Sequence, residues 1–383
     1  MKSKDRVREA FAHRESDRVP VFEQEIASNI ASKILGRYAY TGGGIGWRDN
    51  VELLFQRRRD FLVEKLCGDL IELHEKLDMD VVRAPLVPEK DAEGPKRKLD
   101  EYTYYYEDEE EERWSVHRYE PSTMMYSLVD SSFKREGLPA VERFIRNIED
   151  KEIEIDESAF EVMRTMTERL GGERTITAAS GIGIPFETSW LRALYEKPEI
   201  VGIYLDYCVR RELMLISRYK QIGVDFILGG GDIANNGGPF YSPGVFRKAI
   251  LPKLKQIVDF CHELALPYIY RTDGNIWPIA NELLVESGVD GYGEIDAQAG
   301  MRLGELKAKF PGLVLWGNVD CAKTLVFGSR EEVIDETRRA ITEGAPGGGY
   351  ILGSSNTIHP NVRLENFLLM LETAKRYGRY QNM

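Results

Sequence analysis

The sequence predicts an α/β protein, a (β/α)8 TIM barrel with a β-hairpin insertion after its second strand. Eight short apolar segments recur along the 383 residues. Amphipathic helical stretches separate them, the alternation that places helices outside a parallel sheet. No G-x-G-x-x-G fingerprint follows the first strand, as a dinucleotide-binding sheet would require. The expectation is one domain over residues 1–383, with 87–135 as the insertion.

The strand candidates are "RVPVFEQE" (18–25), "DVVRAPL" (80–86), "TITAASG" (175–181), "VDFILGGGDI" (224–233), "PYIYRTDG" (267–274), "GVDGYGEI" (288–295), "LVLWGNVD" (313–320) and "GYILGSSN" (349–356). Each is mostly apolar, as strands buried on both faces are. Helices are expected over 52–76, 199–222, 243–265, 276–287, 330–343 and 363–377. Ser242 is a cap with Pro243 just inside its helix. Within the insertion, the alternation in "YTYYY" and "RWSVHRY" predicts a hairpin with an acidic turn. The run "EDEEEE" reads as a solvated, self-repelling tip. "TGGGIG" (41–46) reads as a loop, and Gly347 to Gly349 as a turn feeding strand eight. For "GGGD" (229–232), close approach to a ligand and tight packing are both open.

Hydrophobic residues make up 43% and charged residues 30%, ordinary for a globular protein, and the net charge is −12. That balance argues against a nucleic-acid partner. No uncharged apolar run is long enough to span a membrane. The charged start "MKSKDRVREAFAHRE" has no apolar signal core, so a cytoplasmic location is expected. Cys67, Cys208, Cys261 and Cys321 are scattered without paired spacing and read as reduced thiols.

Barrel chemistry gathers at the C-terminal ends of the strands. Those ends carry Glu23, Glu25, Arg83, Ser180, Asp232, Arg271 with Asp273, Glu294, Asn318 with Asp320, and Asn356, with His359 three residues on. Asp273 and Glu294 end neighbouring strands. Two carboxylates held close need an offset, and three are open: a divalent metal bound by Asp273 and Glu294 (Mg2+ from the oxygen donors, or Zn2+), one raised pKa for acid–base work, or pairing with Arg271 or Arg83. Asp273 also reads as a helix cap. The other histidines, His13, His74, His117 and His262, read as surface residues.

Several stretches, "DRVPV", "GPFYSPGVFRKAILPKLKQIVDFCHE", "DGN", "ELKAKFPGLVLWGNVD" and the end "APGGGYILGSSNTIHPNVRLENFLLMLETAKRYGRY", resemble the uroporphyrinogen decarboxylase superfamily over nearly the whole barrel. That superfamily implies a (β/α)8 barrel and either a heme-pathway decarboxylase or a methyltransferase working with a corrinoid protein. True decarboxylases carry two arginines after the "RVPV" segment, where this chain has Glu25 and Asn29. Their aspartate on strand two falls near Pro85, and the histidine of their strand-eight loop near Asn356. The zinc site of the coenzyme M-type methyltransferases falls on Arg271, Asp273 and Asn356, none of them a thiolate or imidazole. The resemblance therefore implies the methyltransferase branch acting on a small methylated, or methoxylated aromatic, donor. A corrinoid carried by a partner protein is the implied cofactor, and a homodimer is the candidate assembly. In that reading Asp273, Glu294, Asp232 and His359 assist the leaving atom and Arg271 stabilises its charge. Glu23, Glu25, Asn356, Trp190 and Tyr270 contact the substrate, with Phe186 and Trp277 as further aromatic wall. A metal-dependent hydrolase, a decarboxylase-like lyase and a non-catalytic ligand-binding barrel remain as alternatives.

Overall fold

The computed structural model describes residues 1–380. After three helical segments and the helix Arg59–Leu77, the chain enters β1 (Val81–Arg83). It then makes β2 (Arg97–Lys98), β3 (Thr103–Asp108), β4 (Arg113–Glu120) and β5 (Met125–Ser131), which form a separate antiparallel sheet in that order. The main sheet resumes with β6 (Thr175–Ala179) and β7 (Phe226–Gly230). A short ribbon, β8 (Ala234–Asn235) with β9 (Gly238–Pro239), follows. Then come β10 (Tyr268–Thr272), β11 (Gly291–Glu294), β12 (Val314–Val319) and β13 (Tyr350–Ser354).

The seven strands β1, β6, β7, β10, β11, β12 and β13 lie in chain order, every pairing parallel. Helices connect them, so the result is an α/β fold with a curled, barrel-like sheet. The expected first strand is not a regular strand. Its residues instead touch both sheet edges: Leu352 N donates to Pro20 O at 2.9 Å, Phe22 N to Leu352 O at 2.9 Å, and Asp80 N to Val21 O at 3.1 Å. Asp80 explains the local geometry. Its fully buried carboxylate accepts from Arg6, from Arg18 Nη1 at 2.6 Å, and from Val21 N at 2.8 Å. Bonding to a side chain here takes the place of a strand ladder.

Alternation along the strands separates two cores. Val81, Phe226, Leu228, Ile269, Val314, Trp316 and Ile351 form an inner layer with Phe22. Val7 and Ala10, on the helix Ser3–Phe11, cover that layer from the end where the strands start. Trp316 Nε1 donates to Phe22 O at 3.1 Å. Residues of the opposite parity, among them Val82, Ile227, Tyr268, Tyr270, Leu315 and Leu352, pack against the helices.

Several local expectations resolve differently. The stretch 52–76 is two helices, Ile45–Phe55 and Arg59–Leu77, because Arg57 turns the chain at φ 55°. Residues 276–287 are a 3-10 turn and a π turn. Glu111, in the acidic run, is buried and paired with Arg113 at 2.6 Å and Lys151 at 3.1 Å, so the tip is anchored by cations. His74 is buried and its imidazole is pushed down to about 4, by burial first and Arg174 second. At "GGGD" packing decides: a Cβ on Gly229 would lie 1.8 Å from the Tyr268 ring, and one on Gly230 2.3 Å from Arg271 O. All four cysteines are free thiols. Among the described residues, no helix is long and apolar enough to cross a membrane.

Candidate active site

The inner-layer parity that places Val81 and Ile269 inside also aims the next residues of that parity, Arg83 and Arg271, inward one layer higher, at the ends of β1 and β10. Phe22 likewise hands its inward direction to Gln24. On β11 a strict alternation would send Glu294 toward the helices with Tyr292. Glu294 instead has φ 78° and Ile295 φ 51°. This left-handed kink turns the carboxylate inward, where Oε1 accepts from Gln24 Nε2 and lies 3.7 Å from Arg271 Nη1. Glu294 is 0% exposed and its Oε2 has no hydrogen-bond partner; Gln24 Oε1 has none either.

The electrostatics follow from that burial. Desolvation pushes the Glu294 carboxyl up to about 7; Arg271 opposes the shift and Asp273 and Asp232 reinforce it. Asp273 is raised by burial and by Asp232, against a hydrogen bond from Asn356 Nδ2 at 3.2 Å. Glu25 is raised by burial, opposed by Arg83 and Arg271. Arg83 is lowered by burial and then by Arg271. Arg83, Glu25, Arg271, Glu294, Asp273 and Asp232 therefore share one field. Of these, Glu25 and Arg83 line a cavity of about 240 Å3, together with Glu23, Gln24, Trp47, Leu66 and Leu70.

The donor set suits a neutral carboxyl better than a metal ligand. Glu294 Oε1 already faces an amide and a guanidinium, and the Arg271 charge beside it would repel a divalent cation at the free Oε2. Among the described residues no group of three or more His, Cys, Asp or Glu side chains is arranged to hold a metal.

Of the sequence candidates, the structure brings together Asp232, Arg271, Asp273, Glu294, Glu25 and Asn356. Three others are corrected, and Glu23 lines the cavity with both of its oxygens bound to Ser354. Both ring nitrogens of His359 are engaged: Nε2 donates to Cys321 O at 2.9 Å and Nδ1 accepts from Asn361 N at 3.3 Å, so this side chain ties two loops. Trp190 is 0% exposed and packed among Phe133, Phe144 and Tyr204, on the helix Thr188–Glu196. Tyr270 has the outward parity and is buried against the helices. Glu23 is buried and accepts from Ser354 N at 2.8 Å and Ser354 Oγ at 2.6 Å, which joins the 18–25 segment to β13. Its carboxyl is pushed up to about 8 by burial. Trp277 is likewise engaged outside the site, donating to Gly300 O at 3.1 Å and stacked on Phe310. Gln24 was missed because an uncharged side chain between two glutamates carries no signal; the parity set by Phe22 is the one cue that points to it.

Comparisons with known proteins agree with this architecture. The uroporphyrinogen decarboxylase (URO-D) family model matches residues 130–377. The uroporphyrinogen decarboxylase of Pelobacter propionicus is 23% identical over 192 residues, covering 49% of this chain and 52% of that protein. That of Geobacter metallireducens is 24% identical over 186 residues, covering 48% and 52%. The chain thus spans about half the length of the curated relatives it matches. A solved methyltransferase from Methanosarcina mazei superposes with a TM-score of 0.66 at 17% identity, covering 98% of this chain and 99% of that one, a likeness of fold. With the family model matched over well more than half of its length, the chain belongs to the uroporphyrinogen decarboxylase (URO-D) family.

Proposed function

We propose that this protein is the substrate-binding methyltransferase subunit of a corrinoid-dependent system, moving a methyl group between a small methylated molecule and a corrinoid protein. The observation that carries the reading is Glu294: a fully buried carboxyl, raised to about 7, with Oε2 unpartnered at the mouth of the sheet. A reduced corrinoid on the partner protein supplies the nucleophile. The bond between the methyl carbon and its oxygen or nitrogen breaks, and the electron pair stays on that heteroatom. Glu294 gives the heteroatom its proton from the carboxyl, and the resulting carboxylate lies beside Arg271. Asp232 and Asp273 favour the protonated form beforehand, and Asn356 holds Asp273. Phe186 and Phe240, 53% and 38% exposed and 4.6 Å apart, present an apolar edge on the loops after β6 and β7, where a partner carrying the corrinoid would approach. The whole-length likeness to a methyltransferase supports the same reading.

Family membership favours decarboxylation as the second reading. Against it stand Glu25 and Asn29 in place of the arginines that the resemblance calls for. The test is to mix the protein with a reduced corrinoid protein and a panel of methoxylated and N-methylated donors and follow the cobalamin absorbance. A donor-dependent change to the methylated spectrum is expected. CO2 release by the protein alone, with no such change for any donor, overturns the proposal.

A further inference from the structure

The insertion carries chemistry that the mouth of the main sheet does not use. In its antiparallel sheet Tyr106 on β3 lies opposite Ser115, and Tyr126 on β5 lies opposite Tyr119. His117 on β4 is two residues from each of those partners, so the three rings share one face. The His117 and Tyr126 rings are stacked with centroids 5.5 Å apart, and Tyr106 meets His117 edge-on at 5.3 Å. The two tyrosine hydroxyls bond to one another at 3.0 Å. These half-buried rings line a cavity of about 550 Å3, with Pro185 and Glu187 from the loop after β6 as another wall. Phe133 also lines it, held edge-on by Phe144 and Trp190. The volume is that of a small-molecule site. No residue lines both this cavity and the one beside Glu25 and Arg83.

The charge around the rings is mostly negative. Glu93, Glu107, Asp108 and Glu187 border the cavity, against Arg113 alone. Arg113 is occupied, paired with Glu111 at 2.6 Å and 3.6 Å from Asp108. Burial pushes the His117 imidazole down, so the ring joins the cluster uncharged at neutral pH. Aromatic faces beside carboxylates attract a cation. Yet the carboxylates have partners already: Glu187 accepts from Ser131 Oγ, Asp108 from Glu111 N at 2.9 Å, and Glu93 pairs with Lys96. A primary ammonium brings three donors that need acceptors. A quaternary ammonium brings none, and ring faces in a negative field satisfy it.

We infer that this cavity binds a small organic cation bearing a quaternary ammonium group, seated against Tyr106, His117 and Tyr126 with Asp108 and Glu187 as counter-charge. The site is separate from the proposed transfer centre, and its occupancy needs no corrinoid. A phosphate next to the cation, as on a lipid headgroup, would meet the same carboxylates and be repelled. The ligand is therefore a soluble quaternary ammonium compound.

The test is calorimetric titration of the full-length protein with tetramethylammonium, choline, the uncharged choline isostere 3,3-dimethylbutan-1-ol, ethanolamine and phosphocholine. Choline is expected to bind saturably, and the isostere, ethanolamine and phosphocholine roughly tenfold more weakly. Tyr126→Leu keeps apolar bulk but loses the ring face, and is expected to weaken choline about tenfold and leave the isostere unchanged. Tyr126→Phe keeps the ring and is expected to retain most of the affinity, which separates the ring face from the hydroxyl's structural bond. Glu187→Gln can still accept from Ser131 but loses the charge, and is expected to weaken choline by a smaller factor. Tyr106→Leu provides an independent arm if Tyr126→Leu fails to fold by circular dichroism. No saturable binding of choline or tetramethylammonium, equal affinity for choline and its isostere, or choline binding indifferent to both Tyr126→Leu and Glu187→Gln overturns the site. Phosphocholine binding as tightly as choline, with cosedimentation on phosphatidylcholine vesicles, overturns the soluble ligand in favour of a lipid headgroup.

Discussion

At the scale of single residues, two buried glutamates with similar environments have different work. Glu294 has a buried oxygen without a partner, so its proton is not committed to a fixed hydrogen bond. Its acid form is the working one, and that form is lost as pH rises through about 7. Activity with a saturating donor should therefore fall on the alkaline side of that value. Glu294→Gln should lower kcat by roughly 10²–10⁴ with little change in KM and remove the alkaline limb, as steady-state assays across pH will read. Glu23 is bonded on both oxygens to Ser354 and has no such freedom. Its folded pKa, about 8, lies above the ordinary carboxyl value. Its contribution to stability is thus fully present below about pH 4.5 and is lost as pH rises toward 8. Glu23→Gln keeps the acceptor for Ser354 N and cannot ionise. Urea unfolding at pH 5.5 and 8.5 should show the wild type losing roughly 3 kcal/mol more than the variant between the two.

At the scale of elements, Asp80 joins three parts of the chain: the helix Ser3–Phe11 through Arg6, the 18–25 segment through Arg18 and Val21, and β1 through its own position. Asp80→Ala would leave Arg18 without its carboxylate and the nearly fully buried Arg6 with Asp17 alone. Breaking a buried pair from one side costs about 3–5 kcal/mol, and chemical denaturation should show a loss of that size. The elements were also where the sequence was most readable. Seven of the eight expected segments are strands of the parallel sheet, because apolar runs with turn residues at both ends leave few other choices. Face was harder to read than position. Tyr270 and Arg271 are adjacent at one strand end, and only the inward packing of Ile269 shows that the arginine faces the mouth. Glu294 escapes even that rule, since its direction depends on a left-handed backbone that no residue type announces. His359 looked chemical in sequence because histidine often is; its two backbone partners lie in loops whose proximity is a tertiary fact.

At the scale of the molecule, the sheet is local in sequence along most of its course, each strand pairing with the next in chain order. The exception is its junction. Phe22 N donates to Leu352 O and Leu352 N to Pro20 O where the sheet's end meets the 18–25 segment, and Ser354 bonds Glu23 from 331 positions away. A polypeptide emerging from the ribosome can assemble the middle staves early, but it has to hold its opening segment in waiting until nearly everything else has been made. During that interval two unpaired strand edges and an apolar inner layer are open to other chains. Pulsed hydrogen exchange during refolding should find the amides of Phe22 and Leu352 gaining protection together, in the last kinetic phase, after those of Ile227 and Ile269. Yield in a heterologous host should accordingly depend more on chaperone supply and growth temperature than the finished protein's stability would suggest.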